Sequence, residues 1–267
     1  METRIVQASD GVGLAVHRSG SGPPLYALHG GPAADHRCFG DYLTPISECR
    51  ELLLLDQRGC GQSADAPAES YTPERLSEDI EDIRSVLGHE KIDLLAYSFG
   101  GVIGVDYARR WPGRVGALIL VDASVSGWYG PLVEPRGWPL WLRAMLFPGR
   151  KDVMAFHLTH EVGNRAKQEE VRNLLTIEMR HDEARVRPLV SASMRRVRLE
   201  TLAKQVAIFG MYGKQDRRFL GDARYAQRVG GTVVFIDQAG HFPFVEQPDA
   251  FHQTLRQFLG CGSSVSR

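Results

Sequence analysis

The chain carries no surplus of charge: its 267 residues hold 32 Lys and Arg against 32 Asp and Glu. A protein that binds nucleic acid by neutralising phosphates shows a basic excess, so that class is excluded. Long apolar runs are missing as well. Runs of Leu, Ile and Val reach only four residues, as at Leu52 to Leu55. A bilayer span takes about 20, so no membrane helix is expected. The opening Met1-Glu-Thr-Arg-Ile-Val-Gln lacks the basic start and apolar stretch of a secretory signal, and a cytoplasmic protein is expected. Cysteine is scarce and scattered. Cys38, Cys49, Cys60 and Cys261 show no C-x-x-C spacing, which argues against a zinc site and leads to an expectation of free thiols. What is present is the composition of an ordinary folded protein, 43% hydrophobic with 28 Gly and 14 Pro, which excludes a disordered chain.

Strand and helix signals alternate along the first half. Thr3 to Gln7 and Leu14 to Arg18 flank Asp10-Gly11 and predict a hairpin. Leu25 to Leu28 and Glu51 to Asp56 are short apolar runs that end at turns, the pattern of buried parallel strands. Thr72-Pro73-Glu74 puts a capping hydroxyl before a proline, and Leu76, Ile80, Ile83, Val86 and Leu87 follow at helical spacing up to Gly88. Ile92 to Ala96 predicts another strand, Gly100 to Trp111 a helix stopped by Pro112, and Ala117 to Val121 a strand ending at Asp122. Such alternation builds an α/β fold, a mostly parallel, doubly wound sheet.

Between residues 126 and 198 the rhythm breaks. Trp128, Trp138 and Trp141 appear, strand runs vanish and charged helical segments take over, which predicts an inserted helical cap over a core of residues 1–125 and 199–267. The three tryptophans are candidates to line a substrate pocket in that cap. The alternation resumes with Val206 to Tyr212, a helix around Asp222 to Arg228, the strand Thr232 to Ile236, and a last helix with Phe251, Leu255, Phe258 and Leu259 on one face.

The residues able to do chemistry fall at predicted strand ends. Ala96-Tyr97-Ser98-Phe99-Gly100 sits where a strand turns directly into a helix, and small residues two before and two after the serine are what a strained nucleophile elbow requires. A serine hydroxyl needs a base, and the base an acid to fix its tautomer. Of nine histidines, His241 follows the final strand on a glycine-led loop; His17, His36, His89 and His252 have no strand-end position and are expected on surfaces or hairpins, and His157, His160 and His181 fall in the insertion. Asp216 follows the strand that ends at Tyr212 and is the candidate acid, with Asp122 as its rival. Oxyanion donors are expected from the N–H of Phe99, next to the serine, and of Gly31, in the His29-Gly30-Gly31-Pro32 loop after an earlier strand. His29 is expected to be a structural hydrogen-bonding residue, because no second metal ligand stands two to four residues away. The glycine-rich Asp56-Gln57-Arg58-Gly59-Cys60-Gly61-Gln62-Ser63 is expected to be ordered by an Asp/Arg pair. No G-K-[ST] follows it, which excludes a phosphate cradle.

His29-Gly30-Gly31-Pro32, Asp56 to Ser63, Tyr97-Ser98-Phe99-Gly100-Gly101 and Gly240-His241-Phe242-Pro243, in that order, resemble the α/β-hydrolase superfamily over roughly residues 3 to 124 and 200 to 260. The first two look most like the proline iminopeptidase branch of serine peptidases, with its HGGPG and DQRGxGxS strings. Ala33 replaces the last glycine of the first string, and Ala96-Tyr97-Ser98-Phe99-Gly100 differs from that branch's GGSWG elbow. The resemblance implies a Ser98-Asp216-His241 triad, no cofactor or metal, and a small-molecule substrate with an ester, lactone or amide bond. Release of an N-terminal residue from peptides is its narrower form. In that form cap carboxylates hold the substrate's free amine, and Glu134, Glu178, Asp182 and Glu183 are the ones available. A binding protein on the same scaffold and a perhydrolase using the same triad are the other readings.

The zero net charge is a sum of unequal parts. Residues 126–198 hold 13 basic and 8 acidic side chains, leaving 19 and 24 on the remainder. A basic insertion over an acidic core favours docking of the two and substrates that carry a carboxylate.

Overall fold

The computed structural model describes residues 1–31, 34–125, 162–175, 199–217 and 219–261. Trp128, Trp138 and Trp141, the candidate cap carboxylates, and His157, His160 and His181 lie outside them, as does most of the expected cap.

Eight strands form one sheet: β1 (Glu2–Gln7), β2 (Gly13–Ser19), β3 (Pro24–Leu28), β4 (Glu51–Leu55), β5 (Ile92–Tyr97), β6 (Val115–Val121), β7 (Ala207–Gly213) and β8 (Thr232–Ile236). Their order is β1-β2-β4-β3-β5-β6-β7-β8. The predicted hairpin is antiparallel, β2 pairs β4 antiparallel, and every other pairing is parallel. Six consecutive parallel strands, β4, β3 and β5 to β8, therefore deliver the loops after their carboxyl ends to one edge. In such sheets that edge is where ligands bind.

Period-two alternation divides the apolar residues between the two faces. On β5 and β6, Leu94, Ala96, Leu118 and Leu120 join one buried cluster. Leu95, Tyr97, Ile119 and Val121 join the other. Helix α1 (Pro73–Leu87) starts as predicted, with Thr72 Oγ1 accepting from Arg75 N–H, and ends at Gly88 in the left-handed region. Helix α2 (Gly100–Arg110) springs directly from β5, and α3 (Gln168–Leu175) buries Val171 against the second face. Helices α4 (Leu220–Arg228) and α5 (Pro248–Phe258) complete the described layers.

Three expectations are corrected. The cysteines are not all thiols, because Cys49 and Cys261 form a disulfide across 212 residues of sequence, while Cys38 and Cys60 remain thiols. Tertiary packing supplies the pairing. It presses α5 onto the stretch before β4, where Arg256 also donates to Pro45 O at 2.7 Å, His252 Nε2 meets Tyr42 O at 2.5 Å and Arg50 donates to Leu259 O.

Second, Asp56 and Arg58 do not pair with each other. Asp56 accepts from His17 Nε2 at 3.0 Å, His36 Nδ1 at 2.8 Å and the N–H groups of His36 and Gln62, which together hold its carboxyl far below the usual range. Arg58 is fully buried and points the other way, forking onto Asp79 with bonds of 2.6 and 2.8 Å and reaching Asp10 at 3.0 Å. Both residues lie beyond the end of β4, where the chain turns and strand alternation no longer applies, so each orders the loop against a different element. Gly61, at φ +51°, sits so close that a Cβ there would lie 2.2 Å from Asp56 Oδ2.

Third, the four histidines expected on surfaces or hairpins in solvated or capping roles are engaged in tertiary contacts, His17 from the predicted hairpin itself. His17 is buried and stacks on His36 with ring centroids 3.6 Å apart, both rings bonding the Asp56 carboxylate. His89 bonds the Tyr26 hydroxyl, and His252 ties α5 down.

Candidate active site

The loop after β5 begins with Ser98 at φ +52°, a left-handed conformation that costs a non-glycine residue energy and persists only where the surroundings enforce it. Here they do. Ser98 N–H donates to Val121 O at 3.0 Å, while Ser98 O accepts from Gly101 N–H and Ser124 N–H, each at 3.1 Å. The tight turn brings the start of α2 against the end of β3. A Cβ on Gly100 would lie 2.6 Å from Leu28 O and 2.9 Å from His29 O, so only glycine fits two residues after the serine. Ala96 is tolerated two residues before it, its methyl group packing on Gly104.

The loop after β3 runs beside the serine. A Cβ on Gly30 would meet Ser98 Cβ at 3.0 Å and the Tyr97 ring at 3.1 Å. Gly31 follows at φ +115° on the exposed side, and Phe99 is the residue preceding α2. Both candidate oxyanion donors thus belong to backbone that borders Ser98. His29 fastens this loop: it is fully buried, one ring nitrogen lies 2.8 Å from Gly30 O and the other accepts from Gln57 N–H at 3.2 Å. Burial pushes its pKa down, so the ring is neutral with its proton on Nδ1. That is the structural role expected of it.

Ser98, His241 and Asp216 come from the ends of β5, β8 and β7 and meet. His241 Nε2 lies 3.1 Å from Ser98 Oγ, and His241 Nδ1 lies 2.7 Å from Asp216 Oδ2. All three are buried, and Ser98, 8% exposed, is the most accessible. Three aromatic rings hold the imidazole: Phe219 stacks on it with centroids 5.1 Å apart and planes 17° apart, Tyr97 packs 5.2 Å away, and Phe242 meets it edge-on at 5.3 Å. None of these contacts was foreseen, since nothing in local spacing says which ring a histidine will lie against.

The rival acid, Asp122, does not reach His241 Nδ1; it backs Asp216. It is fully buried at φ +37°, accepts from Gly213 N–H at 3.0 Å, and shares a side-chain hydrogen bond with Asp216. Burial first, then the Asp216 charge, drives its pKa up, so Asp122 is the proton donor of the pair. A carboxyl whose pKa is higher folded than unfolded keeps a proton that the unfolded chain releases. Stability therefore falls as pH rises through the folded value. Asp122→Asn keeps an acceptor for Gly213 and a donor for Asp216. It is expected to flatten that fall, and melting temperatures taken across about pH 5 to 9 check it.

Two groups among the described residues bring three metal-capable atoms within 4.8 Å of one another: His17, His36 and Asp56, and Asp122, Asp216 and His241. In both, the carboxylates and ring nitrogens are already hydrogen-bonded to one another. Neither geometry calls for a metal.

Such a site is chemically equipped for acyl transfer, with a hydroxyl, a base, an oriented acid and adjacent backbone donors. Comparison with known proteins places the fold in context. Residues 25–254 match the model of the Alpha/beta hydrolase family. A proline iminopeptidase of Saccharolobus solfataricus is 37% identical over 113 residues, 40% of this chain and 35% of that protein. The chain thus spans little more than a third of the length of that curated relative. In structure it is similar to an esterase from Exiguobacterium antarcticum, with a TM-score of 0.78 and 22% identity over 97% of this chain and 100% of the other. It is also similar to Est816, described as an N-acyl homoserine lactone degrading enzyme, with a TM-score of 0.80 and 19% identity over 96% and 100%. At those identities the likeness establishes the fold alone. With more than half its length matched by the family model, the chain belongs to the alpha/beta hydrolase family.

Proposed function

We propose that the protein is a cofactor-independent serine hydrolase acting on an ester, lactone or amide bond of a small molecule. The observation that carries this reading is the continuous Ser98–His241–Asp216 hydrogen-bonded line, 3.1 and 2.7 Å, assembled from three strand ends. Ser98 Oγ attacks the acyl carbon as His241 Nε2 takes its proton, and Asp216 holds Nδ1–H and balances the imidazolium. The N–H groups of Phe99 and Gly31 face the developing oxyanion. Collapse expels the alcohol or amine, protonated by His241, and water activated by the same imidazole releases the acid and restores Ser98. In this reading residues 126–198 form the cap and Trp128, Trp138 and Trp141 line its pocket.

A second reading, release of an N-terminal residue from peptides, is favoured by the His29 to Pro32 and Asp56 to Ser63 strings and by the iminopeptidase match. Hydrolysis of short p-nitrophenyl esters against proline and alanine p-nitroanilides separates the two. Ester turnover with inert anilides supports the first reading, the reverse supports the second, and turnover of neither contradicts both.

A further inference from the structure

Glu246 is 1% exposed and, among the described residues, has no ion-pair partner. Its carboxylate is held by backbone instead. Oε1 accepts from Gly240 N–H at 3.0 Å and from Phe242 N–H at 3.1 Å, the two residues that flank His241. Oε2 accepts from Asn164 N–H at 2.7 Å. The Asn164 side-chain amide closes the clamp by donating to Glu246 O at 3.2 Å. One carboxylate therefore joins the base's loop to Asn164, which lies in the stretch between β6 and β7.

The packing around it leaves no slack. A Cβ on Gly163 would lie 2.8 Å from Gly240 N and 2.9 Å from Ala239 C, and one on Gly213 would lie 1.9 Å from Gly240 O. The end of β7, the loop of His241 and the 163–164 segment thus touch backbone to backbone, with Glu246 as the polar fastening. A buried carboxylate without a cation is costly unless hydrogen bonds compensate it, and here backbone N–H groups supply them. Burial raises the pKa of Glu246, and the backbone N–H donors oppose that rise.

We propose that Glu246 is a positioning residue for His241. Its carboxylate fixes the loop on both sides of the imidazole and ties it to the 163–164 segment, so that movement of that segment is passed to the His241–Ser98 contact. This inference rests on the serine hydrolase reading above. In Glu246→Gln an amide NH₂ must face backbone donors, so half of the clamp is lost while volume is kept.

The test is the saturation kinetics of Ser98 labelling by a fluorophosphonate, in protein whose circular dichroism matches wild type. A misplaced base slows the chemical step and leaves probe binding unchanged. Glu246→Gln is expected to lower the limiting labelling rate by about 10²-fold with the half-saturating concentration unchanged. Asn164→Ala, which removes the donor to Glu246 O and the acceptor that Asn164 offers Ala166 N–H, is expected to lower it by several-fold, and it carries the test should Glu246→Gln fail to fold. Wild-type limiting rates in the folded variants would overturn the inference, as would a change confined to half-saturation. If wild type itself is not labelled at Ser98, the hydrolase reading fails instead, so the two failures are distinguishable.

Discussion

Ser98→Ala is expected to lower kcat on an activated ester by about 10⁶-fold while leaving the melting temperature near that of wild type. The size follows from the arrangement. In the proposed mechanism serine, imidazole and carboxylate act as one unit, so that without Oγ neither the base nor the acid has a reaction to assist. Asp216→Asn should cost about 10⁴-fold, because an amide beside Nδ1 favours the wrong imidazole tautomer. Asp122→Asn, one hydrogen bond further from His241, is expected to cost far less. Steady-state rates of the three variants on one p-nitrophenyl ester check the order. Equal losses at Asp122 and Asp216 would contradict the assignment of Asp216 as the residue that orients His241.

The second large effect concerns stability. The Cys49–Cys261 bond closes a loop of 212 residues, and chain-entropy arguments assign such a cross-link about 5 kcal/mol through its restriction of the unfolded state. For a chain of this size each kcal/mol moves the melting temperature by about 2–4 °C, so Cys49→Ser is expected to lower it by about 10 °C or more. Dithiothreitol should reproduce the fall in wild type and add nothing in the variant. A wild-type melting temperature that ignores reductant would contradict the effect. Disulfides persist mainly in oxidising compartments, and this pair is the observation that bears most directly on where the protein works. Among the described residues no helix is long and apolar enough to cross a membrane.

Much of the sheet was legible because its strands are short apolar runs ending at turn residues, and because Thr72 and Gly88 mark both ends of α1. The meeting of Ser98, Asp216 and His241 was legible for a related reason. Parallel strands send their following loops to one edge, so residues at three strand ends are neighbours whatever their separation in sequence. Illegible were the contacts that depend on which side of a loop faces which element. Asp56 and Arg58 are two residues apart and bind different partners. Cys49 and Cys261 meet only because α5 packs on the stretch before β4. Phe219 and Glu246 brace His241 from positions that carry no local signature. Glu246 lies five residues beyond the histidine, in the helical turn Pro243–Glu246, and it acts by folding back on the loop's own N–H groups.

The central claim is that Ser98 is the nucleophile, and the direct measurement is peptide mapping of the wild-type chain after reaction with a fluorophosphonate. The expected result is a single phosphonyl adduct on Ser98, abolished in Ser98→Ala and slowed severely in His241→Ala. An adduct on another serine, or undiminished labelling of Ser98→Ala, would contradict the account.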